Sequence, residues 1–97
     1  MGIMRNSWKD FANSQTFTVP MNTNPGAAGL FRYVLVVTDD RMDVIRYRNN
    51  NGDYTASIRY SVTFSSPKSL TPSYNGSALT LEYSETIYGG IRVLYLD

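Results

Sequence analysis

From Tyr54 to Ser65 apolar and polar side chains alternate without a break. Tyr54, Ala56, Ile58, Tyr60, Val62 and Phe64 share one face, and Thr55, Ser57, Arg59, Ser61, Thr63 and Ser65 share the other. Strict period-two alternation over such a length predicts a strand with one buried and one solvated face. The stretch "QTFTV" alternates in the same way, with Phe17 and Val19 on one side, and stops at Pro20. "SALTLEYSE" places Leu79, Leu81 and Tyr83 against Thr80, Glu82 and Ser84, and Ile91 to Leu96 predicts a closing strand tied into a sheet. "LFRYVLVVT" differs from these. Phe31, Tyr33, Leu35 and Val37 form one face and Leu30, Arg32, Val34 and Val36 the other, and both are mostly apolar. That pattern predicts a central strand covered on both sides. "TDDR" turns the chain and "RMDVIRYR" returns.

The N-terminal segment carries a different period. Met4, Trp8, Phe11 and Ala12 stand at i, i+4, i+7 and i+8, which predicts one apolar stripe on a short helix, with Ser7 as a cap. Such a helix is too short to persist alone. Residues 1–14 are therefore expected as a short helix or arm, anchored by Trp8 and Phe11 on the chain's own core or on another chain. "PMNTNPGAAG" has two prolines and two glycines and reads as a long loop. "SPKSLTPSYNGS" is turn-rich, with Pro67 and Pro72 restricting it to loop or edge strand. The sum is one all-β domain over 1–97. It is expected to be an antiparallel β-sandwich or small barrel of six to seven strands, with at most one short N-terminal helix.

Asn-Gly is the strongest short hairpin signal, because a type I′ turn needs positive φ at both central residues. With Asn51-Gly52 at those positions, Asn50 pairs with Asp53, Arg48 with Thr55, Tyr47 with Ala56, Arg46 with Ser57, Ile45 with Ile58 and Val44 with Arg59. This register gathers Arg46, Arg48 and Arg59 on one face. A three-residue loop would instead set Arg46 and Arg48 against Ile58 and Ala56, which is costlier to bury. Through the Asp39-Asp40 turn, Tyr33 falls opposite Arg46, Phe31 opposite Arg48 and Leu35 opposite Val44. Guanidinium groups over aromatic rings attract. The expected binding face is thus Phe31, Tyr33, Arg46, Arg48 and Arg59, with three readings: a solvated face, a protein interface, or a platform for single-stranded nucleic acid.

Composition narrows these. The net charge is only +1, which argues against strong whole-molecule attraction to nucleic acid or anionic lipid. Arginine far outnumbers lysine and tyrosine is the commonest aromatic, both biases of contact surfaces. The longest apolar run, Tyr33 to Val37, is far short of a membrane span, and "MGIMRNSWKD" lacks a signal-peptide core. Synthesis in the cytoplasm, with a virion as one destination, is the expectation. The chain has no histidine and no cysteine. That removes the usual general base, the thiol nucleophile and the commonest zinc ligands. Glu82 and Glu85 face opposite sides of a strand, and Asp39, Asp40 and Asp43 are read as turn chemistry before a hard-cation site. A hydrolase would need Asp43 brought to Glu82 or Glu85. No catalytic residue, metal or cofactor is expected. The expected function is a non-enzymatic structural or assembly protein, in a homo-oligomer or a larger assembly such as a virus or phage particle. A module binding single-stranded nucleic acid or carbohydrate is the alternative.

Overall fold

A computed structural model describes residues 6–20 and 31–96. Eight strands run in chain order: β1 (Asn6–Phe11), β2 (Thr16–Pro20), β3 (Arg32–Val37), β4 (Arg41–Asn50), β5 (Asp53–Thr63), β6 (Leu70–Tyr74), β7 (Ala78–Tyr83) and β8 (Ile91–Leu96). They form two antiparallel sheets, one of five strands ordered β1-β8-β3-β4-β5 and one of three ordered β2-β7-β6. One core lies between them, as in a sandwich. Val34, Val36, Ile45, Tyr47, Ile91 and Val93 come from the larger sheet, and Phe17, Val19, Leu70, Leu79, Leu81 and Tyr83 from the smaller. Ile87, in the link from β7 to β8, is fully buried and belongs to the same core.

There are eight strands, not six to seven, and no helix among the described residues. The segment read as helical is β1, paired antiparallel to β8 from Asn6–Leu96 to Phe11–Ile91. The ladder offered by β8 pairs the backbone groups on one side of this edge strand, and tertiary pairing overrides a weak local helical pattern. The anchors separate as a result. Phe11 turns inward, 4.8 Å from the Phe17 ring. Trp8 faces out and is 48% exposed, so it is not a core anchor. Met4 and the loop over 21–29 lie outside the described residues.

The hairpin from β4 to β5 turns at Asn51-Gly52, with φ of 54° and 87°, and Gly52 N–H donates to Asn49 Oδ1 at 2.9 Å. Its register runs as read from the sequence as far as Ile45–Ile58. There it shifts. Val44 pairs with Tyr60, and Arg59 is left over as a β-bulge. The extra residue inverts everything beyond it. Tyr60, Val62 and Phe64 do not join Ala56 and Ile58 on the core side; they face out, at 63%, 57% and 52% exposed.

The other faces of β4 and β5 explain the bulge. Asp43 and Arg41 share the inner face with Ile45 and Tyr47 and are nearly fully buried. Arg41 Nε and Nη2 donate to Asp43 Oδ2 and Oδ1 at 2.8 and 2.9 Å, and Nη1 donates to the Lys68 carbonyl at 2.7 Å. The hydrogen bonds to Asp43 hold the guanidinium above its usual pKa. Ser61, opposite Asp43, donates its hydroxyl to the same carboxylate. A buried carboxylate needs a polar cross-strand neighbour. Without the bulge, Tyr60 or Val62 would be aimed inward at that level.

Candidate contact surface

The outer face of the five-stranded sheet, turned away from the core, carries the site. Strand β3 supplies Tyr33, Leu35 and Val37, β4 supplies Met42, Val44, Arg46 and Arg48, and β5 supplies Tyr60 and Val62. β8 adds Arg92 and Leu94, and β1 adds Trp8 and Asp10, which follows from alternation about the buried Val93. The registers align one residue from each strand into a single row: Trp8, Leu94, Leu35, Val44, Tyr60. Every member is apolar or aromatic. The next row holds Asp10, Arg92, Val37, Met42 and Val62. Leu35, Met42, Val44, Tyr60 and Val62 line a shallow apolar hollow of about 70 Å³.

Central strand β3 was expected to be covered on both faces. Its inner face is buried, but Tyr33 is 50% exposed and Leu35 and Val37 are only half-buried. Strands spaced about 4.8 Å apart and residues rising about 3.4 Å give the band of two rows roughly 330 Å² in projection. Patches of a few hundred Å² are at the upper end of what a monomeric protein exposes and commonly mark contact sites.

Polar chemistry borders the band. Arg46 and Arg48 stack on one ring, with guanidinium carbons 4.0 and 4.3 Å from the Phe31 centroid. Tyr33 is the cross-strand neighbour of Arg46. Arg59 stands apart from them at the bulge, 5.2 Å from the Tyr60 ring. Of the five residues named from sequence, the structure therefore groups Phe31, Tyr33, Arg46 and Arg48, and places Arg59 lower, beside the apolar row. None of these three arginines has a carboxylate partner among the described residues. Arg48 Nε is buried with no hydrogen-bond partner. At the opposite corner Arg92 Nε donates to Asp10 Oδ1 at 2.9 Å and lies 5.0 Å from the Trp8 ring.

The band itself was missed in the sequence. Period two assigned Tyr60 and Val62 to the core, and the helical spacing hid Trp8. One signal could have found it. Asp43 and Arg41 fall on the same side of β4 as Ile45 and Tyr47, and only an inverted β5 gives them Ser61 and Thr63 as neighbours while matching Val44 and Met42 with Tyr60 and Val62.

Asp43 and Asp40 are committed elsewhere. Asp43 holds Arg41 inside the core, while Glu82 faces solvent from the smaller sheet. Asp40 Oδ2 accepts the Lys68 backbone N–H at 3.1 Å and Lys68 Nζ at 3.3 Å. That backbone bond lowers the Asp40 pKa, against the opposing effect of burial. Among the described residues no group of three or more acidic side chains is placed to hold a metal ion, and no helix is long and apolar enough to cross a membrane. No protein-family model matches the chain, and no curated protein or solved structure is significantly similar to it.

Proposed function

We propose that the protein is a non-enzymatic structural or assembly protein that acts through protein–protein contacts. It is a subunit of a homo-oligomer or of a larger assembly such as a virus or phage particle. The observation that supports this is the apolar row crossing all five strands on a face that no described residue covers. Burying it against protein removes apolar surface from water at about 25 cal/mol per Å². The rings at its ends and the arginines at its border match the composition of contact surfaces. Hydroxyl-radical footprinting tests the reading. In an extract of its native source, Trp8, Tyr33, Met42 and Tyr60 are expected to be shielded relative to the dilute purified chain, and nuclease treatment leaves the shielding in place. Equal labelling in both would refute the reading.

The unpaired Arg46 and Arg48 over Phe31 support a second reading, a platform for single-stranded nucleic acid. On that reading affinity for an oligonucleotide falls steeply with salt, and Arg46→Ala lowers the slope by about one. Salt-independent or absent binding would refute it.

A further inference from the structure

The row Trp8, Leu94, Leu35, Val44, Tyr60 has the same chemistry read from either edge of the sheet: ring, aliphatic, leucine, aliphatic, ring. A surface of that kind is complementary to itself under a two-fold axis. We propose that a second copy of this chain covers the outer face, stacked sheet on sheet about a two-fold axis running along β3. This rests on the reading of the face as a protein-contact surface and names its occupant. The axis passes over Leu35. Leu35 then meets Leu35 of the other copy, Leu94 meets Val44, and Trp8 meets Tyr60. In the next row Val37 meets Val37, Arg92 meets Met42, and Asp10 meets Val62. Arg46 falls over β8, so no two like charges are opposed.

The edges of the sheet favour stacking over strand addition. β5 is interrupted by the bulge at Arg59, and β1 is short and carries Lys9 and Asp10. Bulges and edge charges are what keep strand edges from pairing with other chains. The outer face of the larger sheet, in contrast, carries an apolar row across all five strands. The area is of the right order. β1, β3 and β8 have six residues each, about 20 Å, so the five strands overlap about the axis over roughly 490 Å² per copy in projection, hence about 980 Å² in total, close to the ≈ 1,000 Å² expected of a specific interface. A net charge of +1 leaves little repulsion between two copies. The mean strand directions of stacked sheets lie within about 30° of each other, which a two-fold axis near β3 allows.

The test combines molar mass with cross-linking. The chain has no cysteine, so single cysteines can be placed at will. Sedimentation equilibrium is expected to show a concentration-dependent dimer. Tyr60→Asp, at a position 63% exposed, raises its dissociation constant at least about tenfold, with an unchanged thermal melt at a concentration where both are monomeric. A bismaleimide spanning about 10 Å, the face-to-face spacing of stacked sheets, is expected to join Trp8→Cys chains to Tyr60→Cys chains. It does not join Tyr60→Cys to itself, because the axis sets those positions about 19 Å apart sideways. Preferred self-linking of Tyr60→Cys overturns the axis. A chain that stays monomeric up to about 1 mM, the regime of millimolar affinity, overturns the second copy. If that monomer is still shielded at Trp8 and Tyr60 in its native source, the protein-contact reading survives with a different partner; without shielding both fall.

Discussion

Asp43→Ala removes one half of a buried ion pair and leaves the other half in place. Asp43 is 1% exposed and Arg41 is 8% exposed. The guanidinium would keep its bond to the Lys68 carbonyl at 2.7 Å but lose both contacts to the carboxylate, and the Ser61 hydroxyl would lose its acceptor. Truncating one partner of a buried pair costs about 3–5 kcal/mol. The surviving carbonyl contact places this case near the lower end, about 3 kcal/mol. For a domain of this size each kcal/mol moves the melting temperature by about 4–8 °C, so a fall of about 12–24 °C is expected. Replacing both members by apolar residues, Arg41→Met with Asp43→Leu, leaves no stranded charge and is expected to stay within about 1 kcal/mol of the parent. Urea and thermal melts followed by circular dichroism measure both variants. A loss below about 1 kcal/mol for Asp43→Ala, or a double variant as damaged as the single one, would refute the reasoning. The site depends on this pair, because Asp43 and Ser61 fix the register of the part of β5 that turns Tyr60 and Val62 outward.

Deleting Arg59 is expected to keep the fold, at a loss below about 2 kcal/mol, because it removes the bulge while Ile45–Ile58 and Val44–Tyr60 remain paired; global unfolding in a urea titration would contradict this. Gly76→Ala is expected to cost about 1–3 kcal/mol and more than Gly52→Ala in the same melts. Both have positive φ, but a Cβ at Gly76 would also meet the Tyr54 ring at 2.7 Å, while nothing lies within 4 Å of one at Gly52. Burial raises the pKa of Tyr47, Tyr74 and Tyr83, so the folded state favours the neutral phenols. Their contribution is whole below the unfolded value of about 10 and is lost as pH rises beyond it, which the urea midpoint between pH 9 and 12 reports. The lowered pKa of Asp40 works in the opposite direction: its stabilisation holds above the unfolded value of 3.8 and disappears as pH falls below it. Asp40→Asn removes that acid sensitivity, and Lys68→Met keeps much of it, because the main-chain N–H of residue 68 is the leading cause.

The hairpin chemistry was legible before any coordinates. Asn51-Gly52 can be placed because few residue types adopt two consecutive positive φ angles, and the pairing then follows by counting. The stacking of Arg46 and Arg48 on Phe31 follows from a second count, through the Asp39-Asp40 turn. Two features were not legible for physical reasons. A bulge leaves no mark on the hydrophobic period of its own strand; it shows only when cross-strand partners are compared, and here the informative partner was a buried aspartate two residues from a buried arginine. The helical spacing of Met4, Trp8 and Phe11 was real as a pattern, but the ladder offered by β8 lies far along the chain and cannot be seen from a local window. Strand β3 was read correctly as apolar on both faces, and the fold supplies cover for one of them.

Sedimentation equilibrium of the purified chain beside its Tyr60→Asp variant bears most directly on the outer face as the contact between two copies of the chain. The expected result is a mass rising with concentration towards twice 10.9 kDa for the parent and held at 10.9 kDa for the variant over the same range. Identical monomer curves for the two, or a dimer that ignores the aspartate, would contradict it.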